Sequence, residues 1–237
     1  MRRETANVLL LLVGGAMVKI TTDGSYLRYV KPTARPWVLA AGIIMIGLAT
    51  VAIVRDVRAG TGPSDDDGHH HSGRWMWLSL LPVLAIFLVA PPALGADSVL
   101  RAGNRVAPSV VRVGAAAFSA LPRGAVVPIA MGEFITRSVW DSSDSLAGRT
   151  VALTGFVVHD NGTDYVARLV ITCCAADATP MKVALTGRQA DQLPNDQWIK
   201  ATGMLRPHSA TEANGYTPTM TVSALTTVDA PADPYEY

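Results

Sequence analysis

Charge is scarce in this chain. Asp, Glu, Lys and Arg make up 16% of its 237 residues, against about 25% in an ordinary soluble domain. The deficit is uneven: residues 1–100 hold long uncharged runs, whereas residues 141–237 carry Asp, Arg, Lys and Asn as a soluble domain does. The 20 basic and 19 acidic residues nearly cancel to a net charge of +1, so the molecule has no strong field for a polyanion. Cysteine is almost absent too. Cys173 and Cys174 are the two present, and they are adjacent. Two cysteines cannot build a disulfide framework, and a bond between neighbours closes only a strained eight-membered ring, so two thiols are the expected state. The chain also lacks a Gly-rich phosphate loop, a His-Glu-x-x-His zinc helix and a nucleophile elbow, which leaves no motif for an enzyme.

What is present in the first hundred residues is apolar length. Between Arg35 and Arg55 lie 19 residues without a charge. As a helix they span roughly 28 Å, close to the ~30 Å hydrocarbon core of a bilayer. Trp37 stands where an interfacial aromatic would, and Arg55 and Arg58 flank the other end. Between Arg74 and Asp97 lie 22 uncharged residues opening with Trp75-Met76-Trp77, with Pro91-Pro92 to end the helix. The run Thr5–Val18 is shorter, at 14 residues. Lys19 could snorkel and let Ile20 join a span, while Gly14, Gly15 and Ala16 would allow close packing on a neighbour. A signal peptide is the rival reading of this first run. The expectation is two or three transmembrane helices, at about 5–20, 36–54 and 75–94, within a membrane region 1–97 of a multi-pass cell-membrane protein.

Residues 59–73 read AGTGPSDDDGHHHSG and cannot pack a core. Asp65, Asp66 and Asp67 precede His69, His70 and His71, a mixture of carboxylate and imidazole that suits Zn²⁺ and similar borderline ions. The alternative is a solvated loop without a ligand. Residues 98–140 read as a linker or an amphipathic segment on the headgroups, with Arg101, Arg105 and Arg112 spaced along it and Pro108, Pro122 and Pro128 interrupting it.

In the soluble part, 141–237, the hydrophobic period changes to two. Strands are expected at Thr150–His159, Tyr165–Cys173, Met181–Thr186, Trp198–Arg206 and Thr219–Val228, with a hairpin turn at Asn161-Gly162 and one or two helical turns over Gly187–Leu193. Three strands, a short helix and two strands is the element order of a small all-β OB-like barrel. Gly155 and Gly203 fall inside strands, where such barrels bend sharply. The aromatic groove and dense basic residues of a single-strand nucleic-acid site are missing, so no nucleic-acid partner is expected.

The most distinctive run is Arg168–Ala178, RLVITCCAADA. Neighbouring side chains of a regular strand point to opposite faces, so both cysteines reach one ion only if the strand ends there. Cys173, Cys174 and Asp177, with His159 from the neighbouring hairpin strand, are then candidate ligands of a small soft or borderline metal site. The competing reading is one cysteine in the core and one half-buried thiol.

Four runs, LTGFV at 153–157, RLVITCCAADA at 168–178, WIKATG at 198–203 and the ending PADPYEY, together with the stretch Gly24–Pro32 and the Leu-Pro…Pro-Pro pattern of 81–92, resemble the YcgQ-type permease-subunit membrane family, whose C-terminal domain has no assigned function. The resemblance covers most of the chain. It implies an accessory subunit beside a separate multi-pass permease, and its members often carry His-rich tracts between their second and third membrane segments in settings of zinc limitation. It carries over no catalytic residue. The functional expectation is therefore a non-catalytic, membrane-anchored accessory subunit of a multi-pass permease, for a transition metal such as zinc. The alternatives are a tethered protein-interaction domain without metal, or a thiol-redox protein using the cysteine pair.

Overall fold

The computed structural model describes residues 3–58, 92–102, 118–187 and 190–237. Two compact units make up the chain, Met1–Pro92 and Ala93–Tyr237. The expected third membrane helix at 75–94 lies outside the described residues except at its last three positions, and so does the His69–His71 tract.

In the first unit, α1 (Arg3–Thr22) and α2 (Arg35–Arg58) form an antiparallel hairpin. Gly14 and Gly42 set its closest approach: a Cβ on Gly14 would lie 2.8 Å from the Gly42 carbonyl oxygen, and one on Gly42 would lie 3.0 Å from that of Gly14. Small residues thus bring the two backbones together, as the sequence led us to expect of Gly14. At the open end, Asn7 donates to Asp56 across the pair. Among the described residues one stretch, Pro32–Arg58, is long and apolar enough to cross a membrane. Its Ile43, Ile44, Leu48 and Val51 are each more than half exposed, an apolar surface that water would not tolerate at this extent and that suggests anchoring in a bilayer. The shorter Ala6–Thr22 stretch of α1 is apolar as well.

Among its described residues the second unit has a seven-stranded sheet and two α-helices. The strands are β1 (Val127–Pro128), β2 (Val151–Asp160), β3 (Thr163–Val170), β4 (Thr179–Thr186), β5 (Trp198–Leu205), β6 (Thr219–Thr227) and β7 (Tyr235–Glu236). β2 pairs antiparallel with both β3 and β5, β3 with β4, and β5 with β6, while β4 and β6 run parallel. The pairing therefore returns to β2 and closes a ring of five strands. β1 and β7 add parallel to β2 and β3. The hairpin turn forms where Asn161-Gly162 placed it: both residues have positive φ, 49° and 76°, the type I′ geometry that matches strand twist. Gly203 sits at a register shift between β5 and β6, and a Cβ there would collide with the Thr221 carbonyl. Gly155 is held the same way against the Ala167 carbonyl.

Two cores flank β2. Inside the ring, Leu153, Val157, Val166, Val183, Ile199 and Met220 pack with Met131 and Phe134 of α4 (Met131–Trp140). On the outer side, Phe156, Val158, Leu169 and Ile171 pack with Tyr235 and with Ala96 and Val99 of α3 (Ala96–Ala102). Burial on both faces explains why β2 reads as a nearly continuous apolar run rather than a clean alternation.

Three expectations need correction. β3 stops at Val170, three residues before Cys173, because the backbone turns away there to join a 3-10 turn at Ala175–Asp177. β4 begins at Thr179 rather than Met181, since its partner β3 offers a register position to Thr179 at Val170. Among the described residues of 187–193 the chain makes a turn, not a helix. Further, β1, α4 and β7 carried no signal that had been recognised.

Gly203→Ala is expected to destabilise the C-terminal unit by about 1–3 kcal/mol, since backbone must move to admit the methyl. The check is the melting temperature of the full chain in detergent, with Gly124→Ala, where a Cβ meets nothing closer than 3.6 Å, as the control. An unchanged melting temperature would show that the bulge relaxes freely.

Candidate metal centre

Where β3 ends, three consecutive backbone N–H groups leave the ladder. Ile171 donates to the Glu236 carbonyl of β7 at 3.0 Å. Thr172 and Cys173 donate to the two carboxylate oxygens of Asp177, at 2.9 and 2.8 Å. The return is a 3-10 turn in which Asp177 N–H donates to the Cys174 carbonyl at 3.0 Å. Cys174 is itself extended, at φ −155°. Off the regular pleat, both thiols come to one side. Their sulfurs are 3.5 Å apart, and one ligand atom each from Cys173, Cys174 and Asp177 lies within 4.8 Å of the others. Cys173 is exposed and Cys174 half-buried, so neither is a core residue.

The Asp177 carboxylate controls the protonation of this loop. By accepting the Cys173 S–H it pushes that thiol up to about 11, and the hydrogen bond with Cys174 adds to the effect. Its own pKa is lowered in return, first by the Cys173 thiol and then by the Thr172 N–H. At neutral pH Cys173 is a thiol, a weak nucleophile, until something displaces its proton.

His159 does not join this group. It pairs with Asp164 at the start of β3, whereas Cys173 lies beyond the far end of that strand. The six residues from Asp164 to Val170 alone cover roughly 20 Å. Its ring is engaged elsewhere: Nδ1 is 2.8 Å from the Asp164 carboxylate and Nε2 is 2.7 Å from the Leu193 carbonyl. Both partners are acceptors, so the arrangement is complete only when both nitrogens carry protons. The imidazole pKa is accordingly raised, by the Leu193 carbonyl first and Asp164 next. With the Asn195 side chain accepting the His159 N–H, this imidazole ties the 193–195 loop to the hairpin.

Three residues of the distinctive runs, to which the sequence assigns no role, frame the cysteine loop. Arg168 donates to the carbonyls of Asp233, Pro234 and Tyr235 and lies 5.3 Å from the Trp198 ring centre. The Tyr235 hydroxyl accepts the Leu94 N–H. Glu236 accepts Met131 and Gly132 N–H at 2.9 and 3.1 Å and so caps α4, whose own N-cap, Ala130, has no oxygen to offer. A helix start without a capping residue was the one available signal that a distant acidic group must supply it.

A raised histidine pKa contributes stability that is fully present below its unfolded value of about 6.5 and is lost as pH rises through the folded value. The melting-temperature advantage of wild type over His159→Gln is therefore expected to shrink as pH is raised from about 6 to about 9. A difference constant with pH would mean that His159 is neutral throughout.

No curated protein and no solved structure matches the chain. Among family descriptions, the match is to the DUF1980 C-terminal domain, over residues 134–237. That stretch begins inside α4 and holds β2 to β7 together with Cys173, Cys174 and Asp177, so the strand ring and its cysteine loop are what is similar to the DUF1980 C-terminal domain.

Proposed function

We propose that the chain is a membrane-anchored accessory subunit of a multi-pass permease, related to the YcgQ-type subunits, and that its C-terminal domain binds a transition-metal ion such as Zn²⁺. The observation that carries the metal part is the convergence of two thiol sulfurs and a carboxylate within 4.8 Å. Thiolate with carboxylate is a donor set for borderline and soft divalent ions. The anchor rests on the exposed apolar faces of the α1–α2 hairpin, to which 75–94 would add a further crossing. Transport through this chain alone is disfavoured. Its helices are few, and the uncharged stretch between Arg35 and Arg55 has no ionisable group with which to couple an ion or a substrate.

The domain reading is an OB-like barrel. The ring order β2-β3-β4-β6-β5, with its single parallel contact at β4–β6, supports that assignment. No catalytic role is proposed. Of the alternatives, a tethered interaction domain without metal keeps the same anchor. A thiol-redox role is less favoured, because Asp177 holds Cys173 protonated.

The test uses the full chain in detergent with His69, His70 and His71 replaced by alanine, so that the tract contributes no signal. Titration with Zn²⁺ is expected to show about one ion per chain, bound at least about tenfold more weakly after Cys173→Ser/Cys174→Ser. No uptake, or uptake unchanged in the double variant, removes the metal part. Affinity purification from native membranes addresses the other half: recovery without a permease would favour the interaction-domain reading.

A further inference from the structure

If the metal reading holds, the loop geometry specifies what kind of site it is, and the following rests on that reading. The sulfurs are 3.5 Å apart. With metal–sulfur bonds of about 2.3 Å, an ion shared equally between them sees the two at roughly 100°. That is near the tetrahedral angle and far from the straight line of a two-coordinate thiolate ion, for which the sulfurs would stand about 4.6 Å apart at the same bond length.

Asp177 supplies the third corner. Each of its oxygens already accepts one backbone N–H, from Thr172 or Cys173. A carboxylate has about four lone-pair sites, so a ligand position remains while the N–H bonds fix the carboxylate's orientation. Among the described residues, no fourth His, Cys, Asp or Glu joins the three, and Cys173 is open to solvent. The loop also closes without an ion: the N–H groups of Ile171, Thr172, Cys173 and Asp177 are taken by Glu236, Asp177 and the Cys174 carbonyl. Structural zinc sites have four protein ligands and supply folding energy outright. This one has three ligands and an independent scaffold.

We infer that Cys173, Cys174 and Asp177 form an open, three-donor seat for a tetrahedral divalent cation, whose fourth position is held by water and taken by a donor from an incoming molecule, so that the ion is passed on rather than kept. Loading replaces the S–H protons of the two thiols with one divalent ion, the protons going to solvent.

Co²⁺ serves as the probe, on the full chain in detergent with His69, His70 and His71 replaced by alanine. The expected result is a tetrahedral visible spectrum with a thiolate-to-cobalt charge-transfer band. Each of Cys173→Ser and Cys174→Ser reduces that band, added imidazole shifts the spectrum, and chelation leaves the melting temperature of the ion-free chain intact. A thiolate band that imidazole does not move, an octahedral spectrum, or unfolding on chelation overturns the open seat while leaving metal binding standing. Absence of both Co²⁺ and Zn²⁺ uptake overturns the metal reading and the open seat with it.

Discussion

Backbone hydrogen bonding decides where the two cysteines can go. At the end of β3 the donors of Ile171, Thr172 and Cys173 come free in succession, and each must find an acceptor. A continued strand would have supplied these from a neighbour and would have sent Cys173 and Cys174 to opposite faces. Instead Glu236 takes the first, and the Asp177 carboxylate takes the next two. The chain therefore folds back within a few residues, and the sulfurs arrive on one side. Asp177 is the acceptor that shapes the loop and the partner that keeps Cys173 protonated, and on the proposed reading it is also an oxygen donor beside the sulfurs. Those roles are coupled. An ion that displaces the Cys173 proton also removes the S–H donor from Asp177, while the two backbone donors stay in place to hold the carboxylate.

The same end of β3 is where the C-terminal tail is fastened. Arg168 grips three successive carbonyls of residues 233–235 and lies over Trp198, while β7 pairs in parallel with the last two residues of β3. From β7, Glu236 reaches the first turn of α4, so one short strand joins the cysteine loop, the sheet and the helix that packs against the ring interior. The runs RLVITCCAADA, WIKATG and PADPYEY are distant in sequence but meet here through Arg168, Trp198 and Tyr235. Their distinctiveness in the chain thus has a packing cause as well as any functional one.

Local signals in the sequence were reliable where local physics decides. The Asn161-Gly162 turn, the five long strands to within a few residues, and the bend at Gly203 all follow from turn chemistry, period-two alternation and the absence of a Cβ. The cysteine–aspartate cluster was also legible, because it lies within five residues and needs only that the strand stop. What escaped depended on distant partners. Glu236 caps a helix 105 residues away, and the two-residue strands β1 and β7 exist only because β2 and β3 offer them an edge. His159 was misplaced for a related reason. Adjacency in a hairpin was taken as closeness, whereas antiparallel register puts His159 beside the beginning of β3 and the cysteines past its end.

The contrast between His159 and the cysteine loop separates a fixed group from a ligand-ready one. The imidazole has both nitrogens committed to acceptors, so binding a metal would cost it a proton and at least one of two good hydrogen bonds, and would release the 193–195 loop. The thiols have no such commitment to the fold. The Cys173 proton is held by the exposed Asp177 carboxylate and the neighbouring Cys174 sulfur, and the Thr172 and Cys173 N–H bonds to Asp177 do not depend on it. A histidine is the commoner metal ligand, yet here the pattern of partners favours the sulfurs. It is the acceptors around a side chain, more than its residue type, that determine whether it can serve an incoming ion.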